Sequence, residues 1–199
     1  MRTRTPSLDP KWFESRSKRF WTQHLLPLAP FRRYLEIGVF CGHSLEWATE
    51  NLVGKEGESV GVDPYCGSLF GRTDGQASAV FLTAAKRVAG LAERGFTCKL
   101  VVKKSYDFFC DNHRNGKFDL IFVDGYHYAV ECLTDICMAW QNLEVGGIMV
   151  VDDCHLREGE RRRKRPEVAE AWKAFEACFR HRYEIVYRTV VQSAVRRIE

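Results

Sequence analysis

Several short stretches of the chain carry residues whose chemistry demands a partner. The run "GIMVVDDCH" is apolar for the length of a strand and then stops on Asp152 and Asp153, two like charges whose repulsion and desolvation call for compensation. "FDLIFVDGYHY" ends in the same way on Asp124, followed by His127, and His155 follows the acid pair. An imidazole can act there as a base or as a ligand near neutral pH. "VGVDPY" ends on Asp63, an acceptor-only group matched to the two hydroxyl protons of a ribose. It lies about 25 residues after the turn "LEIGVFCGHS", the separation expected for a nucleoside site in a doubly wound sheet. In that turn Gly38 and Gly42 allow a tight bend and close backbone approach to a ligand, and Ser44 is placed to cap the next helix. The glycine spacing is GxxxG rather than the GxGxxG of dinucleotide sites, although Asp63 alone suits the ribose of a nicotinamide nucleotide equally well.

These residues need elements to hold them. Apolar runs predict strands over 32–40, 59–65, 97–105, 118–125 and 147–153, each followed by a segment of helical periodicity. The helix after the fourth strand, "AVECLTDICMAWQNLEVGG", is expected to end at its Gly pair. Nearly continuous apolar strands alternating with helices imply a parallel sheet covered on both faces. The Gly-rich stretch "CGSLFGRTDGQ" is expected to be a long loop able to fold over a ligand. The tail differs: a helix over 167–179 precedes two strand-like runs too close together for a parallel crossover, hence a hairpin.

That layout resembles the class I S-adenosylmethionine (SAM) dependent methyltransferases: an α/β, doubly wound, Rossmann-like seven-stranded sheet, mostly parallel with an antiparallel C-terminal strand. The motifs extend the resemblance. "EIGVFCGHS" is similar to the SAM-binding loop of one methyltransferase subgroup. The stretch 118–154 matches its D-G-x-H … D … W … L-x-x-G-G-x-x-x-x-D-D pattern. That subgroup includes the macrocin-type O-methyltransferases and is similar to cephalosporin hydroxylase-like proteins. The resemblance implies a helical segment over 1–30 and a SAM-binding domain over 31–199. It implies SAM contacts from Glu36, Gly38, Gly42, Ser44, Asp63, Tyr65, Ser105 and Asp124, with Tyr65 either against the nucleoside or packed in the core. Ser105 alone is carried over from the third strand end, because Lys103 and Lys104 depart from the acidic or small polar residues usual there.

In the implied strand order the fourth and fifth strands are neighbours, so Asp124, Asp152 and Asp153 converge. Three carboxylates suit a hard divalent cation, Mg²⁺ ahead of Mn²⁺ or Ca²⁺; the alternative is that they pair with basic groups or cap helices. Some metal-dependent relatives carry a basic carboxylate in a D-G-D pattern where this chain has Tyr126, so His127, then His155, are the candidate bases.

Composition sets limits. The net charge of +4 resides in "REGERRRKR" (157–165), which reads as a solvated loop or as a basic lid over an anionic substrate; a nucleic-acid partner is not expected. Eight scattered cysteines without metal-ligand spacing read as reduced thiols, mostly in the core, of a cytoplasmic protein. No run reaches membrane-spanning length and the N-terminus lacks an apolar signal core. Trp12, Phe13, Phe20 and Trp21 suit a helix that covers its own sheet or meets a second subunit. The leading expectation is a metal-assisted O-methyltransferase of a hydroxylated, possibly anionic small molecule. The others are a SAM- or nucleotide-binding protein without catalysis, and a hydroxylase or oxidase on the same scaffold.

Overall fold

The computed structural model describes residues 13–66, 73–112, 116–154 and 166–199. Trp12, His155 and the basic run 157–165 lie outside these residues. Seven strands form one sheet: β1 (Arg33–Ile37), β2 (Glu58–Val62), β3 (Thr97–Val101), β4 (Phe118–Val123), β5 (Leu143–Val151), β6 (Tyr183–Arg188) and β7 (Ser193–Arg197). Their spatial order is β3-β2-β1-β4-β5-β7-β6. The first five are parallel, and β7 enters antiparallel between β5 and β6 as the expected hairpin. The order reverses between β1 and β4, which is where a doubly wound sheet opens its binding crevice.

Strand alternation sends side chains to two separate cores. In β4, Ile121 and Val123 join one cluster while Leu120 and Phe122 join the other, and Met149/Val151 against Ile148/Val150 repeat this in β5. Among the described residues, α4 (Ser105–Asn112), α5 (Ala129–Asn142) and α6 (Pro166–Cys178) cover the first face. The short helix α1 (Lys18–His24), α2 (His43–Ala48) and α3 (Asp74–Glu93) cover the second. Phe13 and Trp21 are buried against this chain's own sheet, Trp21 edge-on to Phe122 at 4.8 Å. Of the cysteines, Cys41, Cys132 and Cys154 are buried, but Cys66, Cys110 and Cys178 are exposed, fewer in the core than composition suggested. No helix among the described residues is long and apolar enough to cross a membrane.

Three boundaries differ from the sequence reading. Helix α5 stops at Asn142, not at the Gly pair, because Leu143 is extended, fully buried and paired with Phe118; Gly146 (φ 88°) and Gly147 then serve an irregularity in β5. Helix α3 starts at Asp74, three residues inside the expected loop, on a capping box formed by Thr73 and Gln76. Strand β3 ends at Val101, so Ser105 opens α4 rather than closing the strand.

One buried side chain ties the N-terminal segment to the hairpin. The Gln192 carboxamide oxygen accepts from Trp21 Nε1–H (3.3 Å) and Tyr187 O–H (3.0 Å), and its nitrogen donates to Ser17 Oγ (2.8 Å) and to the Asp152 carboxylate. All four hydrogen-bonding positions of the amide are thus engaged. Gln192→Leu should lower unfolding free energy by about 3 kcal/mol in urea titration, since it strands several buried polar partners at once. A loss under about 1 kcal/mol would show that the network contributes little.

Candidate active site

The register brings the sequence-predicted residues to one edge. Ile37 pairs with Val62 and with Val123, and Val123 pairs with Val151. The next residue on each strand, Gly38, Asp63, Asp124 and Asp152, therefore stands at the same level beyond the carboxyl ends. Backbone hydrogen bonds extend the ladders one step further, from Gly38 N to Val62 O, Asp124 N to Ile37 O and Asp152 N to Val123 O.

Asp63 is buried and organises the glycine turn. Its Oδ2 accepts from the amides of Val39 (3.1 Å) and Phe40 (3.0 Å), and its Oδ1 from that of Tyr65 (2.8 Å). Three of roughly four acceptor positions are engaged by backbone, leaving at most one for a ligand hydroxyl. Glu36 is fully buried behind the same turn, where Ser44 Oγ donates at 2.6 Å and Tyr34 O–H at 2.5 Å. Ser44 therefore does not cap α2. Gly42, left-handed at φ 78°, occupies the cap position, and Ser44 lies inside the helix facing Glu36. The Tyr65 ring packs edge-on to Phe81 of α3 at 5.1 Å.

A cavity of about 270 Å³ opens at the switch point, with Gly38, Asp63 and Ser105 among its walls together with Gly125, Tyr126 and Asp135. Beside Gly125 and Tyr126 of that wall, Asp124 and His127 of the β4–α5 turn and Asp153 after β5 offer ligand atoms within 4.8 Å of one another. His127 Nε2 lies 3.2 Å from Asp153 Oδ2 and 3.6 Å from Asp124 Oδ1. The two adjacent acids part company: Asp153 has a left-handed backbone (φ 55°) and turns toward His127, whereas Asp152 takes a hydrogen bond from Gln192. Sequence reasoning placed Asp152 in the cluster and His127 beside it; the described side chains group His127 with Asp124 and Asp153. His155 lies outside the described residues. Asp135 was overlooked as a site residue, although it is the middle acid of the 118–154 pattern.

The edge is electrostatically unbalanced. Burial pushes the Glu36 carboxyl up to about 8 and that of Asp135 up to about 6. Burial also holds Asp152 well above the usual range, reinforced by Asp124 and Asp153. A folded-state value above the unfolded one means that the native protein retains protons the unfolded chain releases. Stability from Glu36 and Asp135 is complete below about pH 4 and is lost as pH rises through about 6 to 8. The ligand-free protein should accordingly melt at a lower temperature at pH 8 than at pH 5, and Glu36→Gln should flatten that decline. A melting temperature that rises over this window would contradict the assignment. The same acids favour a cationic ligand, which stabilises their ionised forms.

Comparison with known proteins places this geometry. A family model described as a methyltransferase domain matches residues 35–154, more than half of the chain. The chain belongs to that methyltransferase-domain family, and its sheet is that of the class I SAM-dependent methyltransferases. No curated protein matches it. Among solved structures, the O-methyltransferase TomG from Streptomyces achromogenes, involved in tomaymycin synthesis and determined with SAM, is 21% identical. That match covers 92% of this chain and 80% of TomG, with TM-score 0.66. An O-methyltransferase from Bacillus cereus, with S-adenosylhomocysteine (SAH), is 18% identical over 97% of this chain and 84% of its own, with TM-score 0.66. The SAH-bound Podospora anserina methyltransferase PaMTH1 is 17% identical over 95% and 86%, with TM-score 0.65. At these identities the three structures speak to the fold.

Proposed function

We propose that the protein transfers a methyl group from SAM to a hydroxyl of a small molecule, with a divalent cation assisting. The observation that carries this reading is the position of the Asp124, His127 and Asp153 cluster beside a cavity of about 270 Å³ lined by Gly125 and Tyr126, the residues between Asp124 and His127, in a methyltransferase-family domain.

The residues present fit both groups. SAM is cationic at its sulfonium, and the cavity and its surroundings collect Glu36, Asp63, Asp124 and Asp135, whose desolvated carboxyls a cation compensates. Its adenosyl part fits the cavity that runs from Gly38 and Asp63 to Ser105 and Tyr126. A pair of carboxylates suits Mg²⁺ or Mn²⁺, and Asp124 and Asp153 would hold it. Such an ion, when bound, stabilises alkoxide character on an acceptor hydroxyl at neutral pH.

This chain's own residues supply the rest. Asp63 fixes the glycine turn through three backbone amides, so the donor side of the site is preformed. His127 is oriented by its Nε2 contact with Asp153 and is the candidate base for the hydroxyl proton. The acceptor is a hydroxylated small molecule, with an acidic group favoured by the basic run 157–165. Methyl-labelled SAM incubated with sugars, hydroxy acids and catechols, with and without chelator, tests the reading. Label should move to a hydroxyl compound and stop on metal removal. Transfer that persists after complete chelation would remove the metal from the account, and transfer only to nitrogen would remove the hydroxyl.

A further inference from the structure

The candidate base His127 lies in a turn that carboxylates from two helices hold on either side. The turn leaves β4 at Asp124, whose amide donates to the Ile37 carbonyl at 2.9 Å. One residue further, Gly125 passes so close over α5 that an added Cβ would lie 3.0 Å from Asp135 Oδ2 and 3.1 Å from Ile37 Cγ2. The Tyr126 amide then donates to the buried Asp135 carboxylate, which also accepts from the Ser105 side chain. Beyond His127, the Ala129 amide donates to Glu167 Oε2 of α6 at 3.0 Å. His127 thus stands between two amides that end on carboxylates, one supplied by α5 and one by α6.

The second anchor provides what the local sequence lacks. Ala129 is the first residue of α5, and the first-turn amides of a helix have no partner within it. Tyr128 at the cap position is extended (φ −90°, ψ 146°) and makes no side-chain cap hydrogen bond, and a tyrosine lacks the short oxygen-bearing side chain of Ser, Thr, Asp or Asn. Glu167, directly after Pro166, reads in sequence as a first-turn acid that serves the dipole of its own helix. Its side chain instead reaches the N-terminus of α5, where a carboxylate is favoured for the same reason. Packing fixes that reach: Val168, Ala171 and Trp172 of α6 share one buried apolar cluster with Cys132, Ile136 and Trp140 of α5.

We infer that Glu167 is a positioning residue for His127, capping α5 from the neighbouring helix so that the imidazole stays on Asp153. The 3.2 Å contact of His127 Nε2 with Asp153 Oδ2 joins two different strand ends, so it lasts only while the β4–α5 turn keeps its path. Without the Glu167 bond the first turn of α5 frays, and His127 and Tyr128 regain backbone freedom that opposes the contact. The inference rests on the proposed reading, in which His127 takes the hydroxyl proton, and adds α6 to the elements that build the site.

NMR of the imidazole Cε1–H signals in the metal-free protein at fixed pH tests it, with His127→Gln assigning the signal of His127. Glu167→Ala should move that signal beyond its line width and leave those of His24 on α1 and His43 on α2 in place. Glu167→Asp, one methylene shorter, should move it as well and serves if the alanine protein does not fold. Glu167→Gln, whose amide oxygen accepts the same bond, should keep the wild-type position. Thr73→Ala removes the side-chain cap of α3 and controls for general loosening; it should leave His127 unmoved. In the methyl-label assay Glu167→Ala should lower kcat by about 10- to 100-fold with KM for SAM unchanged. A folded Glu167→Ala protein with the wild-type His127 signal would overturn the inference. So would a Glu167→Gln or Thr73→Ala protein displaced as far as the alanine variant, or a loss carried by KM for SAM alone. The NMR comparison needs neither SAM nor metal, so if no methyl transfer is found the transferase reading fails while the signals still decide whether Glu167 places His127.

Discussion

Asp124→Asn and Asp153→Asn should each lower the affinity of the chain for Mn²⁺, the paramagnetic probe of the proposed Mg²⁺ site, by at least about 100-fold, and Asp152→Asn should lower it by less than about 10-fold. Loss of a partner outside the ligand set typically costs 10- to 100-fold, so removal of a ligand should exceed that and a carboxylate held by Gln192 outside the set should fall short of it. The difference arises from direction rather than distance along the chain. The left-handed backbone at Asp153 turns its carboxylate to within 3.2 Å of His127, while Asp152 is held by the Gln192 amide. Electron spin resonance of bound and free Mn²⁺ gives the three affinities. Equal losses at all three positions would restore the ligand set expected from sequence, and no loss at Asp153 would dissolve the metal site.

Gly38→Ala should abolish the native fold or lower its stability by roughly 3 kcal/mol or more. The substituted Cβ would stand 2.1 Å from the Asp124 carbonyl oxygen and 2.5 Å from its carbon, both backbone atoms that no side-chain rotation relieves. Gly38 also has φ 88°, which costs an L-residue a further 1–2 kcal/mol or so. The glycine is therefore required first for the contact between the β1 and β4 turns, and its closeness to any ligand is a consequence. Gly54→Ala is the control: it shares a positive φ but has open space around its Cβ, so it incurs the backbone term alone. Thermal melts of the two variants compare them, and similar losses would show that the Asp124 contact relaxes.

Much of this architecture can be read from local pattern. Apolar runs that stop on acids announce strand ends, and a parallel register carries Gly38, Asp63, Asp124 and Asp152 to one level. What sequence reading missed depends on partners far along the chain or on backbone conformation. "LEVGG" looks like a helix end until Leu143 finds Phe118 across the sheet. Ser44 looks like a cap until Gly42 takes that position and Glu36 takes its hydroxyl. Gln192 has no motif, because Ser17 and Trp21 lie 175 and 171 residues away. Asp135 was visible as an acid within a motif, but its meeting with Ser105 requires α4 and α5 to pack, which periodicity does not specify. Asp153 parts from Asp152 through its left-handed backbone and its distant partner His127, a choice that the adjacent identical residue types do not encode.

The most direct test of the central claim is calorimetric titration of SAM into the purified protein, with and without Mg²⁺. One site of micromolar affinity, strengthening from pH 5 to pH 8 as the buried acids ionise, is the predicted result. Absence of heat and of competition by SAH under every condition would contradict it, and would return the crevice between Gly38 and Asp63 to the nicotinamide nucleotides.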